Sequence, residues 1–461
     1  MRSSGQEIAK MPFDVTVLKT PGLTTLALAA LPDSPMVVAT LHWIHCHPRS
    51  ALAGTCGLAY LLWRRVCANQ ENWPLCEKSP DTRLFRPSNI KSTLERRHGY
   101  KHFPGPYPNG WMFVCPSSTL RVRDVVPLKL WGTDLVAFRG EDGMVGLLGA
   151  YCTHMGTHVG YGGYVKGCSV VCPYHEWAFN RDGELTCIPY IEDGGPRDCA
   201  RPQNRMRKYP VIEKHGMIFA WMHADEAAEP FDLWIASIPE KNGLCGPIMR
   251  TVLGRFNMHC MEPAHNSCDW YHFLTVHSVL GQHWKSSLKM IQPEIWSPPA
   301  RCRLVKAVDD DGTELAPDVV ITDQKMKSLR ILGIRVPQSI VDAMMIVQVR
   351  FSGLMLGSMS MTLPLLGTYY GIVTITPEGP FRTHVELWSF TDWRWPRALT
   401  WLVSKTIMRT LNQDREVWER RTQPTRRNMV KNDYRWGDFD TWVDQFYSPG
   451  SAAWGDDQLD W

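Results

Sequence analysis

Cys152-Thr-His154-Met-Gly156 and, further on, Cys172-Pro-Tyr-His175-Glu-Trp177 are the stretches that decide how this chain is read. Seventeen residues separate His154 from Cys172. Each stretch pairs one thiol with one imidazole at loop spacing, so two loops together offer two thiolates and two imidazoles. That donor set suits either a structural zinc or a [2Fe–2S] cluster of mixed ligation. The order is wrong for a Cys2His2 finger, which brings Cys with Cys and His with His. His158 and Cys168 lie inside the same segment and read as loop-packing or hydrogen-bonding side chains.

Around this segment the chain reads as short strands punctuated by glycine: Leu128 to Trp131, Leu135 to Arg139, Met144 to Leu148 and Met217 to Met222. Two breaks bound it. Phe103-Pro-Gly-Pro-Tyr-Pro-Asn-Gly110 suits neither a helix nor a central strand, and Ala224-Asp-Glu-Ala-Ala-Glu-Pro230 is polar and ends in proline. The segment between them, 104–230, is thus expected to be an all-β module. Beyond it, Met344 to Gly353, Tyr369 to Thr376 and Arg382 to Phe390 read as strands. Ala398 to Arg420 has helical periodicity, with Val403, Ile407, Leu411 and Trp418 on one stripe. The predicted class is α+β, with 231–461 as a second domain.

Composition sets the outer limits. A length of 461 residues exceeds one ordinary core, and 44% hydrophobic with 21% charged residues excludes a disordered or polytopic membrane chain. A net charge of +4 is too balanced to argue for nucleic acid as a partner. Fourteen cysteines without a framework spacing indicate reduced thiols in an intracellular, cytosol-facing protein. Residues 1–103 form an apolar, helical extension. Its uncharged stretches are shorter than the roughly 20 residues of a spanning helix, so a soluble extension is weighed above a membrane anchor between Met36 and Trp63. His42, His45, Cys46 and His47 crowd that extension and are read as packing or interfacial residues.

A second cluster of donors lies in His265-Asn-Ser-Cys-Asp269-Trp-Tyr-His272-Phe-Leu-Thr-Val-His277. Asp269 and His272, three apart, are expected to share a helix face, whereas His277 converges with them only at a helix end or bulge. Two histidines and a carboxylate make the facial triad of non-haem Fe(II); satisfied polar groups of a core would leave the same pattern. Asp414, in Gln413-Asp-Arg-Glu-Val-Trp418-Glu, stands on the apolar stripe with Leu411 and Trp418, where an unpaired carboxylate is costly. Glu416 and Glu419 fall off that stripe.

Cys-x-His-x17-Cys-x2-His, with Gly156 and Pro173 in place, resembles the Rieske family, in which the histidines of the two loops bind one iron and the cysteines the other. Respiratory Rieske proteins carry an additional cysteine in each loop; here Met155-Gly-Thr157 follows His154, which points to the oxygenase branch. The segment Asn266-x2-Asp269-x2-His272-x4-His277 is similar to the mononuclear iron segment of Rieske non-haem iron oxygenases, and Asp-x-x-(apolar)-Trp at 414–418 to their carboxylate helix. The resemblance covers about 104–425. It implies a [2Fe–2S] cluster on Cys152, His154, Cys172 and His175, and Fe(II) on His272, His277 and Asp414. Asp269 is then the bridging carboxylate, in a helix-grip-like catalytic domain.

Gly163 between the loops and Cys187-Ile-Pro-Tyr190 after them resemble the sterol branch of Neverland-type cholesterol 7-desaturases and 3-ketosteroid 9α-hydroxylases. His265 and Glu419-Arg-Arg421 depart from that branch, which has Glu before the Asn and Asn-His-Lys after the Trp. The implied reaction uses O2 and desaturates a sterol, foremost cholesterol to 7-dehydrocholesterol. Hydroxylation of a steroid or another hydrophobic substrate, and electron transfer without oxygenation, are the alternatives. No dinucleotide fingerprint is present, so NAD(P)H acts through a separate reductase or ferredoxin. The resemblance further implies a homotrimer.

Overall fold

Gly110–Pro116 (β1) and Met217–Met222 (β10) are nearly continuous apolar runs, a pattern that belongs to strands covered on both faces. They pair antiparallel, setting Trp111 opposite Trp221 and Phe113 opposite Phe219, with β9 (Val211–Lys214) on the outer edge of β10. The computed structural model describes residues 104–192, 195–267, 269, 272, 276, 291–296, 302–303, 319–331, 334–343, 346–363, 366–421, 428, 430 and 436–454. All of these belong to one unit, Ser79–Trp461. The apolar extension, with His42, His45, Cys46 and His47, lies outside the described residues, as does His277.

Two further small sheets complete the N-terminal β module. One is β2 (Val125–Leu130), β3 (Thr133–Arg139) and β4 (Val145–Gly149); the other is β5 (Tyr164–Lys166), β6 (Ser169–Val171), β7 (Ala178–Phe179) and β8 (Leu185–Cys187). Val136, Phe138, Leu148, Val159, Val170, Phe179 and Ile188 are buried together between them and carry the two Cys/His loops on top. A short helix α1 (Pro196–Cys199) follows β8.

The second half is built on one antiparallel sheet whose order is β11 (Cys245–Phe256), β19 (Arg382–Thr391), β18 (Gly367–Gly379), β17 (Leu356–Leu363), β16 (Ile346–Ser352), β14 (Val319–Ile331), β12 (Ile291–Trp296). Helix α2 (Trp234–Lys241) precedes this sheet, and α3 (Glu262–Ser267) follows β11. The short α4 (Gln338–Ala343) precedes β16. The long α5 (Arg397–Trp418) starts just after Pro396 and packs on β11 and β19; α6 (Trp436–Asp444) follows it.

On α5 the inward face is Thr400, Ser404, Ile407, Gln413, Asp414 and Trp418, while Val403 and Leu411 are half-buried at its margin. The two small hydroxyl residues on this face are satisfied. Ser404 Oγ donates to the Thr400 carbonyl at 2.8 Å and lies 2.9 Å from Ser389 Oγ and 3.3 Å from Tyr369 Oη. No helix among the described residues is long and apolar enough to cross a membrane.

The β module and the large sheet share a core. Trp111, Phe113, Phe219 and Trp221 are buried with Trp234, Tyr370, Trp388 and Phe390. Phe113 meets the Trp388 ring edge-on at 5.6 Å, Tyr370 Oη donates to the Ile235 carbonyl at 3.1 Å, and Thr376 Oγ1 donates to the Phe113 carbonyl at 3.0 Å. Truncating Phe113 therefore removes packing from both halves. Phe113→Ala is expected to cost about 3–5 kcal/mol, read as a lower denaturant midpoint in a single transition shared by fluorescence and circular dichroism.

Candidate metal centres

The two loops are built on one hydrogen-bond frame. In the first, Cys152 N–H donates to the Thr157 carbonyl at 2.9 Å and Gly156 N–H to the Cys152 carbonyl at 2.9 Å. In the second, Cys172 N–H donates to the Trp177 carbonyl at 2.9 Å and Glu176 N–H to the Cys172 carbonyl at 3.1 Å. Closure therefore falls at the same offsets from each cysteine. The residue four after each has a left-handed backbone: Gly156 at φ 69° and Glu176 at φ 56°. Glycine adopts that conformation freely, but a Cβ makes it strained. Gly163, between the loops, answers a different need, because a Cβ there would lie 2.1 Å from the Val159 carbonyl oxygen.

This frame brings the donors together in pairs. The Cys152 and Cys172 thiols are both buried, and burial first, then the neighbouring Cys172, pushes the Cys152 thiol up to about 11. The His154 and His175 rings meet edge to face at 4.6 Å. His154 Nδ1 is buried without a hydrogen-bond partner. Among the described residues, no three His, Cys, Asp or Glu side chains converge on one point. A tetrahedral zinc needs four donors about one centre, whereas a Rieske cluster takes two thiolates on one iron and two imidazoles on the other. The thiol pair, the imidazole pair and the orphaned Nδ1 fit the cluster. His158 Nδ1 accepts the Gly160 N–H at 3.1 Å, and Cys168 donates to Asp142 at 3.3 Å, so both are engaged within the loops.

The second group of donors is positioned by α3, α5 and the turn between them and β11. Asp414 is buried on α5 one turn before Trp418, whose ring packs by Phe256 at the end of β11. His272 is buried, with Nε2 3.0 Å from Asn266 Nδ2. Asp269 and His272 do not share the face of one continuous helix, as their spacing predicts. Helix α3 stops at Ser267, and Asp269 Oδ1 instead accepts the backbone N–H of His272 at 3.4 Å, in the manner of an N-cap. An aspartate that can serve as a cap competes with continuing the helix, and here the cap wins.

Glu419, which falls off the apolar stripe, nevertheless buries its side chain. Its side chain is only 8% exposed, and its Oε1 accepts the Asn257 N–H at 2.9 Å and pairs with Arg415 at 2.7 Å. Those bonds tie the end of α5 to the end of β11. Three residues past α5, Arg421 makes a second tie: its Nη2 lies 2.5 Å from Glu262 and 3.0 Å from His265 Nδ1, both on α3. The sequence reading singled out neither tie. Their signal was the surplus of charge in Glu419-Arg-Arg421, directly after an apolar helix face.

Two outcomes follow from this geometry. Glu176→Gly is expected to raise stability by about 1 kcal/mol by relieving the left-handed strain, seen as a higher thermal midpoint with an unchanged visible spectrum of the cluster-loaded protein. Arg421→Met leaves the Glu262 carboxylate buried without its cation and is expected to cost about 3 kcal/mol. Arg421→Lys should recover part of that loss; urea unfolding measures both.

Comparison with known proteins agrees with the loop geometry. Residues 110–210 match the model of the Rieske [2Fe-2S] domain. The chain is 28% identical over 381 residues to the cholesterol 7-desaturase nvd of Bombyx mori, covering 80% of this chain and 77% of that protein. It is 31% identical over 229 residues to the protein of the same name from Drosophila melanogaster, covering 47% of this chain and 49% of that one. It is 33% identical over 187 residues to a probable 3-ketosteroid-9-alpha-monooxygenase, oxygenase component, of Rhodococcus rhodochrous. That match covers 40% of this chain and 44% of the Rhodococcus protein, so in these last two the chain spans less than half of the relative. The chain therefore carries a Rieske [2Fe–2S] domain, and across 80% of its length it is similar to a cholesterol 7-desaturase.

Proposed function

We propose that this enzyme desaturates a sterol, foremost cholesterol to 7-dehydrocholesterol, using O2 and electrons delivered from NAD(P)H by a separate reductase or ferredoxin. The observation that carries this reading is the sequence relationship to a cholesterol 7-desaturase across 80% of the chain, through both the β module and the large sheet. Cys152, His154, Cys172 and His175 hold the [2Fe–2S] cluster, and His272, His277 and Asp414 hold Fe(II). Bound there, the cluster would supply single-electron transfer and the Fe(II) would supply dioxygen activation. In this assignment the β module, 104–230, receives electrons and 231–461 carries out oxidation, in a homotrimer.

The chain's own residues supply position and dryness. Asp414 is buried on α5 one turn before Trp418, so its carboxylate is screened from bulk water. Asn266 Nδ2 restrains the His272 ring through Nε2, a bond that metal binding at that nitrogen would replace. Asp269 is assigned as the bridging carboxylate, which would accept an imidazole N–H from a cluster histidine and one from an iron ligand; its bond to the His272 N–H ties it to the backbone of a proposed iron ligand.

A second reading, steroid hydroxylation, is favoured by the 33% identity to the Rhodococcus protein. Incubation with cholesterol, a reductase and NAD(P)H, followed by mass spectrometry, separates the two. A product lighter by two hydrogens is expected; one heavier by an oxygen supports hydroxylation, and an unchanged sterol overturns the cholesterol assignment. Asp414→Ala is expected to keep the cluster spectrum, lose the mononuclear iron and lower turnover at least about 100-fold. Full activity in that variant would remove Asp414 from the ligand set.

A further inference from the structure

Trp177 joins the two cluster loops in two ways at once. Its carbonyl accepts the Cys172 N–H and closes the second loop. Its indole lies against the His154 imidazole of the first loop, with centroids 4.5 Å apart and planes 5° from parallel. The indole is itself anchored, since it is buried and its Nε1–H donates to the Tyr190 hydroxyl at 2.8 Å. On the remaining side His154 meets the His175 ring at 66°.

An imidazole held between a parallel indole and a perpendicular ring cannot turn about its Cβ–Cγ bond without driving an edge into the indole face. That restraint matters because His154 Nδ1 has no hydrogen-bond partner, so packing alone aims its lone pair. Partners around a metal-binding histidine ordinarily fix ring orientation through a hydrogen bond. Here a flat aromatic surface stands beside the ring instead.

We propose that Trp177 is a positioning residue for the cluster: its stacked indole, locked by the Tyr190 hydroxyl, sets the ring plane of His154 and thereby the coupling of that imidazole to iron. The proposal rests on the assignment of His154 and His175 to the cluster. It explains why one residue after the second loop contributes both a backbone acceptor to its own cysteine and a side chain to the other loop's histidine.

The test uses full-length protein with its cluster loaded and reduced, in unmodified, Trp177→Leu, Trp177→Phe and Tyr190→Phe forms. Pulsed electron paramagnetic resonance reads the nitrogen couplings of the two histidines, and a redox titration reads the midpoint potential. Trp177→Leu is expected to change the couplings of one histidine and shift the potential. Trp177→Phe, which keeps a flat ring, should restore most of both, and Tyr190→Phe should give a smaller change in the same sense as Trp177→Leu.

Couplings and potential in Trp177→Leu identical to those of the unmodified protein overturn the proposal. Should Trp177→Leu fail to hold a cluster, Trp177→Phe and Tyr190→Phe decide, and identity of both with the unmodified protein overturns it. Absence of two histidine couplings in the unmodified protein is a different failure, because it removes the ligand assignment itself.

Discussion

The two hydrogen bonds by which Cys152 and Cys172 close their loops, each to the carbonyl five residues on, are the constraint on which the β module depends. They turn two short, glycine-punctuated connections into rigid cups and oblige the thiols to face each other inside a hydrophobic layer. Burying Cys152 beside Cys172 makes ionising its thiol costly in a protein without a cation there. A metal cluster reverses that cost by taking both as thiolates. The fold beneath the loops, two small sheets around Val136, Phe138 and Phe179, is thus the support for one preset arrangement of donors.

The β module and the large sheet are registered to one another through apolar packing. The β1–β10 pair is covered on one face by the residues of β18 and β19 and by α2, so the β module shares a core with the large sheet. The hydroxyl contacts of Ser404 and the bond from the Asn257 N–H to Glu419 then hold α5 to that same sheet. Asp414 is carried on this doubly fastened helix.

Much of this was legible in the chain's pattern. Met217–Met222 is a strand at the limits its apolar run implies, and α5 spans Arg397–Trp418 against an expected Ala398 to Arg420. The Cys/His loops were readable because thiols and imidazoles at fixed spacing have few other uses. What was not legible came from competition that periodicity does not encode. Asp269 lies on the three-residue spacing of a helix face, yet its side chain is short enough to cap the turn that starts there. Glu419 falls off the apolar stripe, yet Arg415 and the Asn257 N–H make its burial favourable. The stacking of Trp177 on His154 joins residues from two loops, and no local pattern announces it.

His265 and Arg421 both depart from the pattern of the sterol branch, and taken along the chain they read as two unrelated losses. In space they are one substitution: Arg421 Nη2 reaches His265 Nδ1 at 3.0 Å across a separation of 156 residues, with Glu262 completing the contact. A guanidinium that donates to Nδ1 requires that nitrogen to be unprotonated, so this histidine holds its proton on Nε2 and stands uncharged. The negative charge that balances the guanidinium is supplied by Glu262, three positions earlier on the same short helix. The three side chains therefore act as one unit, and a change at 262, 265 or 421 alters what the other two can pair with.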